Sequence, residues 1–406
     1  MKLLIVLSIL WASFSMLSAR ADSFDVPAKH AIAVEVSTGK ILYEKEATTP
    51  AAVASTSKLL TVYLVYQAIK EGTLSWDSKV DISDYAYQLT TNPDVSNVPM
   101  PARQYSVREL VEASLIPSAN SAAIALAEKI AGSEPKFVDM MIKQLESWGI
   151  TDAKLVNASG LNNDMLGEHI YPNSQTNDEN RMSAMDLAIV ARHLITDFPE
   201  VLEITQKASS SFGETSMTNS NLMLETMPYA RLGVDGLKTG TTQLAGACFV
   251  ATTLEEDMRV ITVILDADNA DSNDGARFSA TNALLDYVYH TFSMKTLVTK
   301  GQSYQDSRLE VLDGKSSSVT LVADADFKVV VPKNNDKVTT TITQDQEAYA
   351  PIKKGQALAK LVYKDTDLVG SGYLEKEPSI TLLAKDSVEP AFFLTIWWHK
   401  LIQAFT

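Results

Sequence analysis

Residues 57–71 read as a helix that water reaches from almost no side. Leu59, Leu60, Val62, Leu64, Val65, Ala68 and Ile69 cover most of its circumference, and Gly72 stops it. A surface helix confines its apolar residues to one stripe, so this one is expected to be central and buried. At 406 residues the chain is too long for one compact core, and two domains are expected. Apolar residues at 46% and charged residues at 21% exclude a largely disordered chain.

Other elements surround that helix. Residues 31–36 and 41–43 flank Ser37-Thr38-Gly39-Lys40 as a strand–turn–strand unit. Ser106-Val107-Arg108-Glu109 is a capping box opening a helix that Pro117 ends, and a further helix covers 121–130 before Gly132. Residues 247–253 and 259–265 read as paired strands, and 277–292 as a helix. After about Met294 the composition shifts to short runs of Val, Thr and Leu at 318–322, 327–331, 337–343 and 357–363. Gly and Asp turns separate them, the pattern of a small all-β domain with its boundary near 294–297.

Several function classes drop out. Thirty-five basic against fifty acidic residues give a formal net charge of −15, which argues against nucleic acid as partner. The five histidines and the one cysteine, Cys248, show no metal-ligand spacing, and no intrachain disulfide is possible.

Both ends carry targeting signals. Met1 and Lys2 precede an apolar run over 3–17 that closes on Ser18-Ala19-Arg20-Ala21-Asp22, an Ala-x-Ala site. The run is short of the roughly 20 residues that span a bilayer. Residues 1–21 are therefore expected to be a cleaved signal peptide, leaving a mature chain at −17. Across 391–406, Thr395, His399 and Gln403 form one polar stripe among Phe, Trp, Leu and Ile. A helix of that length spans only ~24 Å. It suits the headgroup boundary of a membrane, with Trp397 and Trp398 as anchors, better than a position docked on the protein's own core.

Three short motifs carry chemistry. Ser55-Thr56-Ser57-Lys58 opens the buried helix and puts a hydroxyl and an ammonium on one face. Ser118-Ala119-Asn120 lies between two helices and offers a hydroxyl and a carboxamide. Lys238-Thr239-Gly240 precedes the strand pair, and a glycine there leaves a bare edge along which a peptide could lie. Taken singly, each has an ordinary structural explanation: a solvated helix start, an N-cap, an edge strand with a surface lysine.

Their order and spacing, 63 and then 120 residues apart, match the serine acyl-transferase set. The chain resembles the low-molecular-mass penicillin-binding proteins, exported serine-type D-alanyl-D-alanine carboxypeptidases. Residues 51–60, Val156-Asn157-Ala158-Ser159-Gly160-Leu161 and Val234 through Thr242 carry the likeness, which spans about 28–385. It implies an α/β (α+β) penicillin-binding/β-lactamase-like catalytic domain over 22–294, with helices on a central antiparallel sheet. A β-rich domain over 295–385 and the amphipathic helix 391–406 would follow.

The resemblance also implies roles. Ser55 would attack the penultimate D-alanine carbonyl, Lys58 would take its proton, and Ser118 would pass a proton to the leaving D-alanine. Asn120 would hold the substrate amide and steady Lys58. Lys238 would supply positive potential, and Thr239 would bind the terminal carboxylate beside Gly240. The N–H groups of Ser55 and Thr241 would form an oxyanion hole worth ~3 kcal/mol of barrier per donor. Arg277 matches an arginine near the carboxylate end, against the plainer reading of a surface arginine at a helix start. No cofactor or metal is implied. The implied partners are the peptidoglycan stem peptide, β-lactam antibiotics and, through the C-terminal helix, the outer face of the cytoplasmic membrane.

Alternatives separate on residues. Class A β-lactamases carry an E-x-x-x-N segment, and across 121–237 no glutamate has asparagine four residues on. Glu168 comes nearest, with Asn173 five residues later. That leaves Lys58 as the economical base for deacylation. A silent wall-binding scaffold has no reason to keep all three motifs together. Transpeptidation or endopeptidation would share the acyl-enzyme, with water the expected main acceptor.

Overall fold

A computed structural model describes residues 24–334, 337–394 and 396–397. The expected signal peptide lies outside these residues, as does much of the expected helix over 391–406. Within that tail, Phe392, Phe393, Leu394 and Trp397 are described and exposed. Among the described residues no helix is long and apolar enough to cross a membrane.

The chain begins with the expected hairpin, β1 (Ala28–Glu35) and β2 (Ile41–Lys45). Three two-stranded ribbons decorate the region that follows: β3 (Ala51–Ala52) with β6 (Arg181–Met182), β4 (Lys79–Asp81) with β5 (Gln104–Ser106), and β7 (Ser209–Phe212) with β8 (Thr215–Thr218). Strands β9 (Val234–Thr242), β10 (Gly246–Glu255) and β11 (Met258–Ala267) then join the hairpin in one antiparallel sheet, ordered β2-β1-β11-β10-β9. Both faces are covered, which is why β1 and β11 read as nearly unbroken apolar runs. Ile32, Val34, Val250, Ile261 and Val263 face a large helical core. Ala31, Ala33, Phe249, Ala251 and Ile264 face a second core with Phe278 and Leu284 of α8 (Ala276–Thr291).

The larger core is helical. It contains α1 (Lys58–Lys70), α2 (Asp84–Leu89), α3 (Val107–Leu115), α4 (Asn120–Ala131), α5 (Glu134–Ser147), α6 (Ala184–Asp197) and the short α7 (Leu202–Thr205). Ten of the thirteen α1 residues are buried, and α1 packs against α3, α4, α5 and α6. Its expected central position is what the structure shows. Ser106 caps α3 through the expected reciprocal box with Glu109.

Beyond α8, the regular elements of the described residues up to Ala384 are all strands. Strand β12 (Phe292–Val298) starts at the next residue and pairs with β15 (Phe327–Pro332). The remaining strands are β13 (Arg308–Leu312), β14 (Ser318–Ala323), β16 (Thr339–Thr343), β17 (Ala348–Tyr349), β18 (Ala357–Lys364) and β19 (Ser379–Ala384). They form a sheet ordered β16-β18-β19-β14-β13-β17. This β unit grips the first unit of the chain where β2 begins. Ile41 N–H donates to Gly372 O and Leu374 N–H to Gly39 O, each at 2.9 Å. Beneath them Lys40 Nζ meets Asp365 at 2.6 Å, both side chains at 0% exposure, and Tyr373 O–H donates to the same carboxylate at 2.7 Å.

Candidate active site

The site forms where β9, the open edge of the large sheet, meets the start of α1. A 3-10 turn, Ala54–Ser57, leads into that helix and carries Ser55 at its centre. Ala54, just before Ser55, has φ +48°, a left-handed conformation that costs a non-glycine residue about 1–2 kcal/mol. Strand β9 presses on this turn. A Cβ added at Gly240 would come within 2.9 Å of Val53 O and 3.0 Å of Ser55 N. The glycine thus serves the approach of the strand to the Ser55 turn, a different reason from the bare peptide-binding edge expected from sequence.

Lys58 is wholly buried, and its Nζ touches three oxygens: Ser55 Oγ at 2.8 Å, Asn120 Oδ1 at 2.7 Å and Ser159 O at 2.7 Å. Burial, and then the charge of Lys238, hold its pKa well below the usual lysine value of 10.5. The Asn120 amide is oriented by its other end, since Nδ2 donates to Ser96 O at 3.0 Å. Ser118 lies two residues before Asn120 at φ +68°, in the turn whose Ala119 is the N-cap position of α4. Ser118 is 7% exposed.

Lys238, on β9, is also buried, and its Nζ donates to Thr239 O at 2.9 Å. Burial, with Arg277 adding to it, pulls its pKa down to about 7. Thr239 Oγ1 donates to Ser220 Oγ at 2.7 Å, and Ser220 N–H donates to Ile116 O, so the third motif is tied to the loop of the second. Arg277, in the first turn of α8, is no solvated surface group. Its guanidinium donates to Gly240 O at 2.7 Å, to Cys248 O at 3.0 Å and to Thr241 Oγ1 at 2.7 Å. It clamps the outer end of β9 and lends positive potential there. Cys248, fully buried, behaves as a small core residue whose thiol burial pushes up to about 12.

The structure therefore joins Ser55, Lys58 and Asn120 by direct contact, and Gly240, Thr241 and Arg277 along one edge. Thr239 is reached through Ser220. Sequence reasoning missed Ser159, whose contribution is a backbone carbonyl, and Ser96 and Ser220, which carry no motif. It also passed over Asn180. That side chain donates to Ser57 Oγ and Asn157 O and accepts from Val156 N and Asn157 N, fastening the Ser159 loop to the helix start. Among the described residues no cluster of three or more His, Cys, Asp or Glu could hold a metal ion.

The fold is that of a penicillin-binding protein. Residues 16–269 match the peptidase family of D-alanyl-D-alanine carboxypeptidases, and 292–390 match the C-terminal domain of penicillin-binding protein 5. The D-alanyl-D-alanine carboxypeptidase DacC of Escherichia coli is 31% identical over 92% of this chain and 87% of its own. A solved structure described as a peptidoglycan synthesis regulatory factor (PBP3) from Streptococcus pneumoniae is 52% identical and covers 90% of this chain and 100% of its own, with TM-score 0.85. Penicillin-binding protein 5 of Haemophilus influenzae is 27% identical, covers 90% of this chain and 99% of its own, and has TM-score 0.72. The chain belongs to the D-alanyl-D-alanine carboxypeptidase family and is a hydrolase of that class. A peptidoglycan substrate, β-lactam binding and export are consistent with that membership.

Proposed function

We propose that the chain removes the terminal D-alanine of the peptidoglycan stem pentapeptide through an acyl-enzyme on Ser55. The three contacts of Lys58 Nζ carry this reading. A neutral amine has two N–H donors and one lone pair. Asn120 Oδ1 and Ser159 O are acceptors only, so they take both hydrogens. The lone pair then faces Ser55 Oγ and accepts its O–H. Ser55 is thereby poised as a nucleophile, its base already turned toward it.

Ser55 Oγ bonds to the carbonyl carbon of the penultimate D-alanine as its proton passes to Lys58. The N–H groups of Ser55 and Thr241 receive the developing oxyanion. The C–N bond then breaks, and the proton reaches the departing amine by way of Ser118. Water attacks the ester with Lys58 as base, and the proton returns to Ser55. Asn120 orients the substrate amide, while Lys238 and Thr239 bind its terminal carboxylate with Arg277 behind them. β-Lactams would stop at the acyl stage on the same serine.

Residues 22–294 would form the catalytic domain and 295–385 the β domain. Cleavage after Ala21 would export the protein, and the exposed apolar residues of 391–406 would hold it on the outer face of the cytoplasmic membrane. Fluorescent penicillin tests the site: the adduct is expected on Ser55 by peptide mass mapping and absent from Ser55→Ala. Unlabelled wild type would overturn the reading. Tetrapeptide plus D-alanine from a pentapeptide substrate is expected, whereas cross-linked dimer as main product would make the enzyme a transpeptidase.

A further inference from the structure

Behind Lys58 lies a buried carboxylate that the reaction scheme does not use. Glu134, the first residue of α5, is 4% exposed. Its Oε1 accepts from Ala158 N–H at 2.8 Å and its Oε2 from Tyr85 O–H at 2.9 Å. From the opposite side, Thr61 Oγ1 on α1 donates to Ala158 O at 2.6 Å. One residue further on, Ser159 O takes an N–H of Lys58. The peptide units either side of Ala158 are thus gripped from two helices immediately before the carbonyl that orients the lysine. The loop has little slack, because a Cβ at Gly160 would lie 2.0 Å from Ala54 O.

We infer that Glu134 is a positioning residue for acylation: through Ala158 it sets the Ser159 carbonyl, and through that carbonyl the direction of the Lys58 lone pair. The inference rests on the proposed role of Lys58 as base. A carbonyl is a strong acceptor but has no stiffness of its own in a loop, so its aim depends on what holds the preceding peptide. Burial pushes the Glu134 carboxyl up to about 7, and nearby Glu128 adds to the rise against the two hydrogen bonds. Placing a carboxylate there costs folding energy that an apolar residue would not. What the carboxylate supplies is reach: two acceptor atoms set between α2 and the Ser159 loop.

Glu134→Gln and Glu134→Asp separate reach from charge. Glutamine keeps the length, accepting from Ala158 N–H while its NH2 donates to the Tyr85 oxygen. Aspartate keeps the charge but is one methylene short. Stopped-flow acylation by a fluorescent penicillin gives the dissociation constant before bond formation and the acylation rate separately. Glu134→Asp is expected to acylate about 10–100-fold more slowly with the dissociation constant nearly unchanged, the signature of a misaimed base. Glu134→Gln is expected to stay within a few-fold of wild type. Thr61→Val, which releases the same loop from α1, is expected to show the same split and decides the matter if Glu134→Asp does not fold. Folded Glu134→Asp or Thr61→Val acylating at the wild-type rate, or Glu134→Gln as slow as Glu134→Asp, would overturn the inference. Absence of labelling in the wild type would instead sink the Lys58 reading itself.

Discussion

Two places among the described residues bury lysine completely, and they treat it in opposite ways. At the junction with the β domain, Lys40 meets Asp365 at 2.6 Å, under the Val330 carbonyl and over the Phe292 ring. At the edge of the large sheet, Lys58 and Lys238 have no carboxylate partner among the described residues; their contacts are neutral oxygens. A buried ammonium without a counter-charge gives up its proton readily, so the second arrangement favours neutral amines where the first makes a clasp. The difference lies in the neighbours, since the residue type and its burial are the same.

Replacing each lysine by methionine should pull the two regions apart. Lys58→Met is expected to cut acylation by roughly a thousandfold or more, as loss of a general base does. The same change leaves Asn120 Oδ1 and Ser159 O without their donor, so it should lower the melting midpoint modestly, at a cost of about 1–3 kcal/mol. Acylation by fluorescent penicillin and calorimetry on one sample check both. Lys40→Met should spare acylation and cost more stability. It strands Asp365 in the interior at a cost of about 3–5 kcal/mol, lowering the midpoint while the folded fraction acylates normally. A Lys40→Met less destabilised than Lys58→Met would break the contrast.

Smaller effects sharpen it. Lys238, with its pKa drawn down to about 7, loses its charge as pH rises through neutrality. Acylation efficiency toward carboxylate-bearing substrates should then decline on the alkaline side, and Lys238→Arg, which does not titrate, should remove that limb. A pH profile of the second-order acylation rate reads this directly. Stability should respond to the same titration. A lysine whose folded pKa is depressed contributes stability that is present above about 10.5 and lost as pH falls toward about 7. Melting midpoints should therefore drop across that window, and less steeply in Lys238→Met.

The same contrast explains what could be read from sequence alone. Ser55, Lys58, Asn120 and Lys238 act through side chains at fixed spacing, so they left a pattern, as did the apolar girth of α1 and the box at Ser106. The hairpin β1–β2 and the pair β10–β11 were legible because their turns and apolar runs are local. Ser159 was invisible as a functional residue because any residue can supply a carbonyl. Glu134 and Asn180 hold loops distant in sequence, and nothing near them announces it. Lys40 and Asp365 are 325 positions apart in different domains, so no local signal marks their pairing. A second reason for Gly240 was hidden in the same way: the backbone of Val53 and Ser55 crowds it, brought there only by the fold.

The protonation state of Lys58 is the most direct test of the mechanism. Nitrogen-15 NMR of lysine-labelled enzyme, with Lys58→Met identifying the resonance, can follow Nζ from pH 5 to 11. A resonance that titrates well below 10.5 is the expected result. An ammonium that keeps its proton until about 10.5 would contradict Lys58 as the base that activates Ser55.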